Sequence, residues 1–150
     1  MDEIDRMILA ELQQDARISN QELADRVGLT PSPCLRRVQR LEEKGVIRGY
    51  RAVIDPEAVG RSFQTFVYVS IAPEDRKTIL GWEEGLAKVE DVIEAYRMIG
   101  EPDYVLRVAV QDIEAYESVY TDQLAVLPGV ANMTTQLPLK TVKTNEGFPL

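Results

Sequence analysis

The sequence predicts an α+β fold: a winged helix-turn-helix module over residues 1–50, a linker strand at 51–62 and a βαββαβ ferredoxin-like unit over 63–150. Three observations predict it. Up to residue 45, apolar residues recur at helical spacing, punctuated by capping residues and glycines. From residue 63 the pattern changes to short apolar strands alternating with helices. Charge is also unevenly placed: residues 32–51 hold six basic side chains against two acidic ones, in a chain of net charge -8.

Ile4, Ile8, Leu9 and Leu12 set a first amphipathic helix over 2–15. In "ISNQELADRVG", Ser19 is the expected N-cap and Glu22, three residues on, completes a capping box. Leu23, Ala24 and Val27 form the apolar face of this second helix, and Gly28 stands where a left-handed residue ends it. The third helix opens at "LTPSPCLRRVQRLEEKG" with Thr30 as N-cap. Pro31 and Pro33 fall in its first turn, where backbone N–H groups have no intrahelical partner. The prolines stiffen this start without breaking it. Helix, glycine turn and helix make a helix-turn-helix signature.

"VIRGYRAVID" reads as a strand or small wing and "DPEAVGRS" as a connector. "FQTFVYVSI" (63–71) is a strand with apolar residues on both faces: Thr65, Val67, Val69 and Ile71 on one, Phe66 and Tyr68 on the other. One face covers helices; the other needs a partner, which implies sheet-on-sheet dimerisation. A helix follows over 76–89, although Gly81 and Gly85 lower its propensity. Strands at 92–99 and 104–110 flank the turn "GEPD". Asp112 caps a helix carrying Ile113, Tyr116, Tyr120, Leu124 and Leu127, and a last strand runs from "PGV" to about Lys143. This order is the split βαββαβ motif. The tail "TNEGFPL" is expected to be loose or to swap as a strand.

Composition narrows the function. There is no histidine and one cysteine, which removes His-based triads, His ligands and a structural zinc site, so no catalytic residue, metal or cofactor is expected. The apolar runs are far shorter than the roughly 18 residues a membrane helix needs, and the acidic start "MDEIDR" is unlike a signal peptide. A lone cysteine fits the reducing cytoplasm. The acidic total argues against nucleic acid, yet a local field can reverse that.

On the third helix, Cys34, Leu35, Val38 and Leu41 cluster within about one third of the circumference. Ser32, Arg36 and Arg40 lie opposite, with Arg37 and Gln39 flanking. Cys34 is a small core hydrophobe. Positive charge and a hydroxyl at the helix N-terminus suit the major groove, so Ser32, Pro33, Arg36, Arg37 and Arg40 are the candidates for contact with double-stranded promoter DNA. A solvated basic helix is the bland alternative; the capped helix and glycine turn ahead of it favour DNA.

"RISNQELADRVGLTPSPCLRRVQRLEEKGVIRGY" resembles the DNA-binding half of the leucine-responsive/asparagine-regulator (Lrp/AsnC) transcription factors, and "GEPDYVLRV" resembles the glycine–acidic–x–aspartate–tyrosine turn of their amino-acid-binding (RAM) domain. The likeness spans the chain. It implies a regulator that dimerises through its sheets, stacks dimers into an octamer or similar disc, and binds a free amino acid between dimers. It further implies an effector site at Gly100, Glu101, Asp103 and Tyr104, completed near Thr134 and Thr135. Chemistry agrees: Glu101 or Asp103 can accept from an ammonium group, while backbone N–H groups and threonine hydroxyls can donate to a carboxylate. A plain β-turn, with Asp103 bonded to its own backbone, is the alternative. Two rival functions stand beside the regulator: an amino-acid-binding module or small enzyme using the second half, and an effector-independent architectural DNA-binding protein. The enzyme lacks a histidine base, a nucleophile in context and a phosphate loop.

Overall fold

A computed structural model describes residues 1–145 and 147–150. The chain forms two compact units, Met1–Val53 with Val142–Leu150, and Ile54–Thr141. By its contacts the C-terminal stretch groups with the first unit. Gln13 is the reason: its amide donates to the Phe148 carbonyl at 3.0 Å and accepts from the Phe148 N–H at 2.6 Å. Within the tail expected to be loose or swapped, Glu146 lies outside the described residues.

In the first unit, α1 (Glu3–Gln14) begins with a reciprocal capping box between Asp2 and Asp5, at 2.9 and 3.3 Å. The second helix, α2 (Asn20–Arg26), takes its cap from Ser19, whose hydroxyl accepts from the Glu22 N–H. The expected return bond is absent because the Glu22 carboxylate pairs with Arg26 at 2.5 Å. Gly28 adopts φ 69°, and the Asn20 side-chain amide donates to the Pro31 carbonyl at 2.9 Å. That bond sets how α3 (Pro31–Glu43) leaves the turn. Thr30 occupies the N-cap position without a side-chain bond, since the prolines leave its hydroxyl fewer N–H groups to cap.

Ile8, Leu23, Ala24, Val27, Cys34 and Leu41 fill the core of this unit. Leu35 does not join them; it is 46% exposed. It stands at the rim of the apolar stripe, and Cys34, Val38 and Leu41 already occupy the space toward α1 and α2. No strand forms over residues 46–62, where a strand or small wing and a linker strand were expected. Val46 and Ile47 both donate to the Leu41 carbonyl, and Pro56–Arg61 closes as a hydrogen-bonded turn. A strand needs a ladder partner, and none lies beside residues 46–62 among those described.

In the second unit, β1 (Phe63–Ile71), β2 (Val92–Arg97), β3 (Tyr104–Val110) and β4 (Val130–Gln136) make one antiparallel sheet in the order β2-β3-β1-β4. Between them lie α4 (Arg76–Leu86) and α5 (Ile113–Ser118), the latter continuing as a π-helical turn over Val119–Leu124. This is the expected βαββαβ fold. The helices cover one face, packing Trp82, Leu86, Tyr116 and Leu124 against Val67, Val69, Leu106 and Val108.

Three elements are shorter than expected. The 76–89 helix ends at Leu86, β2 ends at Arg97 with one further in-register bond from the Met98 N–H to the Asp103 carbonyl before the chain turns, and β4 ends at Gln136. Beyond it Pro138 has no N–H to extend a ladder. Of the two α4 glycines, Gly85 has a packing reason. A Cβ on Gly85 would meet the Leu127 side chain at 2.5 Å, and one on Gly81 would touch Pro128 at 3.4 Å.

Candidate functional site

The outward face of α3 divides the five residues expected to meet DNA. Ser32 and Arg36 are exposed, Pro33 is half-buried in the first turn, and neither Ser32 nor Arg36 has a side-chain partner among the described residues. Arg37 is different. Its guanidinium donates to Asp2 and to Asp5, both at 2.7 Å, and its side chain is only 26% exposed. Arg40 reaches the same Asp5 at 3.1 Å while staying about half exposed.

Asp5 is buried beneath these two arginines. Burial pushes its carboxyl up, but the Arg37 hydrogen bond, the Asp2 backbone N–H and the Arg40 charge outweigh that and hold it below the usual aspartate range. Asp2 is lowered too, first by the Asp5 backbone N–H and then by Arg37. Arg37 is raised in return by Asp2 and then Asp5. Arg37 therefore bridges α1 and α3, its guanidinium engaged by two carboxylates where that of Arg36 is not. The outward row that remains is Ser32, Leu35, Arg36 and Gln39, all exposed, with Arg40 at its edge. Leu35 is the residue the helical wheel misassigned. Nothing in the sequence signals that Arg37 comes to rest on Asp2 and Asp5.

The turn between β2 and β3 is less simple than the resemblance implies. Gly100 and Glu101 are exposed. The Asp103 carboxylate accepts the Ile71 backbone N–H at 2.7 Å through one oxygen, where β1 meets an irregularity in its pairing with β4. Its other oxygen has no partner among the described residues. So Asp103 does bond backbone, but that of the neighbouring strand rather than its own.

Tyr104 points into the core, stacks obliquely on Trp82 at 5.7 Å, and donates its hydroxyl to Glu83 at 2.7 Å. Burial first and that carboxylate second push the phenol up to about 12. Thr135 faces the same helical side, in contact with the Tyr116 hydroxyl, whereas Thr134 lies opposite Tyr68 on the open face. Register puts β1 between β3 and β4, so one chain does not bring all six residues into a single pocket. Gly100, Glu101 and Asp103 share the β2–β3 turn, whereas the Tyr104 side chain enters the core and Thr134 and Thr135 lie on β4.

The open face of the sheet presents Phe66, Tyr68, Tyr96 and Val105 around a polar link, in which Arg107 donates to Glu94 at 3.0 Å and to Gln64 at 2.8 Å. No group of three or more metal-ligating side chains occurs among the described residues.

Comparison with known proteins decides the family. A winged helix-turn-helix DNA-binding model matches residues 1–48, and the Lrp/AsnC ligand binding domain model matches residues 64–148. The chain belongs to the Lrp/AsnC family. It is 40% identical over 143 residues to the leucine-responsive regulatory protein of Escherichia coli K12, covering 95% of this chain and 87% of that one. It is 39% identical over 150 residues to the Bkd operon transcriptional regulator of Pseudomonas aeruginosa, covering 100% and 98%. A transcriptional regulator of Neisseria meningitidis solved as an L-Met complex superposes with TM-score 0.94 at 34% identity, covering 99% and 96% of the chains. An AsnC family regulator of Agrobacterium tumefaciens gives 0.93 at 36%, covering 99% and 97%.

As an Lrp/AsnC regulator, the protein combines a DNA-binding module with a ligand-binding domain, and its named relatives are regulators of transcription rather than enzymes. No described helix is long and apolar enough to cross a membrane.

Proposed function

We propose that this regulator sets the exposed face of α3 into the major groove of promoter DNA, as a symmetric dimer that assembles further toward an octamer or similar disc. The observation that carries the proposal is Arg36: exposed on the N-terminal half of α3, unpaired among the described residues, and beside two arginines already held by Asp2 and Asp5. It is the guanidinium left to meet a phosphate or a guanine edge. Two-fold pairing lets two such helices read half-sites about one helical turn apart, and the apolar open face of the sheet is the surface suited to that pairing.

The effector we propose is a free amino acid at the 100–104 turn. The L-Met complex of the Neisseria relative supports this class of ligand. Glu101 and the unengaged oxygen of Asp103 would accept its ammonium group. Because β1 separates this turn from Thr134 and Thr135, a second copy of the chain would complete the site. The protein acts by binding in the cytoplasm and not by catalysis; the buried lone Cys34 fits a reducing compartment, and the lack of histidine leaves no imidazole base.

Arg36→Ala tests the DNA reading on duplex DNA selected by the wild-type protein. A lost phosphate contact should lower the salt slope by about one unit per site; a lost base contact should cost roughly 1–3 kcal/mol. Arg37→Ala should instead lower the thermal stability of the first unit. Unchanged affinity and salt slope for Arg36→Ala would sink the assignment of α3.

A further inference from the structure

We propose that Leu35 is a specificity residue that seats against the 5-methyl group of a thymine in each half-site. This rests on the reading of α3 as the helix in the major groove. Leu35 is 46% exposed, although the core of its unit is closed by Cys34, Val38 and Leu41 on the same helix. Its outward neighbours are Ser32, Arg36 and Gln39, all polar and all exposed. An apolar side chain in that row gains nothing from water. A phosphate offers it no partner either.

The major groove does. Among the base edges displayed there, thymine alone carries an apolar group, the C5-methyl, and leucine is shaped to cover it. Arg37 and Arg40 are drawn toward Asp5, which leaves the groove side of α3 to this short row. Leu35 and Gln39 lie four residues apart and so share a face, about 6 Å apart along the axis. That separation is close to two base-pair steps of roughly 3.4 Å. Arg36 adjoins Leu35 in sequence. A thymine read by Leu35 therefore falls in the same half-site as the bases within reach of Arg36 and Gln39.

The test uses the full chain and a duplex it selects from a random library, resynthesised with deoxyuridine in place of each thymine in turn. Deoxyuridine keeps every hydrogen-bonding group and lacks only the methyl. The expected result is one sensitive thymine per half-site, with affinity falling about fourfold for one substitution and roughly the square of that for both. In Leu35→Ala the same substitutions should change nothing. Wild-type affinity indifferent to deoxyuridine at every position would overturn the proposal. So would a sensitivity that persists unchanged in Leu35→Ala, because another side chain would then read the methyl. Failure of the wild-type chain to enrich or retain any duplex would instead overturn the DNA reading, and this assignment with it.

Discussion

Asp5 shows how one residue can decide what its neighbours are free to do. It caps α1, lies buried, and gathers Arg37 and Arg40 onto one carboxylate. Its carboxyl is held lower in the folded chain than in the unfolded one. The stability it contributes is therefore present above the unfolded value of about 3.9 and is lost as pH falls through the lower folded value. Asp5→Asn should destabilise the first unit by about 1.5–3 kcal/mol near neutral pH, and the gap from wild type should close below about pH 4. Thermal melts followed by circular dichroism between pH 3 and 7 measure this. The fluorescence of Trp82, the single tryptophan and a core residue of the second unit, should not follow the change. A pH-independent gap would assign Asp5 to capping alone.

Asp103 calls for a different substitution. Alanine would also remove the acceptor for the Ile71 N–H, whereas asparagine keeps an oxygen there and deletes only the charge. Asp103→Asn should leave DNA affinity in the absence of ligand unchanged and weaken amino-acid binding by about tenfold to a hundredfold, measured by calorimetry. Linkage requires that any effect of the amino acid on DNA affinity be matched by an equal effect of DNA on amino-acid affinity. Wild-type affinity for both partners would reduce the turn to a structural role.

At the scale of elements, glycines show which contacts are close enough to exclude a side chain. Gly129 opens β4 at φ 77°, and a Cβ there would run into Thr78 as well as strain the backbone. Gly81, inside α4, has only an ordinary contact waiting at 3.4 Å. The two alanine substitutions should therefore differ in sign. Gly129→Ala should cost about 1–3 kcal/mol or more, while Gly81→Ala should gain roughly 0.5–1 kcal/mol through helix propensity. Denaturant midpoints read from Trp82 fluorescence decide it, and equal shifts in the same direction would refute the packing account.

For the whole molecule, the open sheet face carries the expectation of assembly. Phe66, Tyr68, Val105 and Tyr96 sit around the Arg107 link, an arrangement in which apolar area would drive the proposed association and the charged group would disfavour misregistered pairing. Light scattering should find a dimer or larger particle at micromolar concentration, and Tyr68→Glu should shift it toward monomer with far-ultraviolet circular dichroism unchanged. A Tyr68→Glu protein of unaltered mass would move the interface elsewhere. Monomeric binding of DNA with full affinity would remove the need for symmetry.

Local chemistry made much of this molecule legible from sequence alone. Capping residues, the proline start of α3, the glycine turn and the change from helical to strand periodicity depend on neighbours a few residues away, so helix-turn-helix and βαββαβ could both be read in order. The exposed Arg36 was legible for the same reason, as a wheel position opposite Cys34 and Leu41. What only the tertiary structure decided involves partners distant along the chain. Arg37 lies 35 residues from Asp2, and the ion pair between them engages its guanidinium. Leu35 is left outside because the helices meet over a narrower stripe than its hydrophobicity suggests. Asp103 bonds Ile71, 32 residues earlier, and Gln13 holds Phe148, 135 residues later. Periodicity says which face of a helix or strand is apolar; it does not say which ionic group arrives opposite, or how much of that face the arriving element covers. Those depend on the geometry of the assembled core, where each ion pair and each buried side chain is chosen by elements the local sequence does not contain.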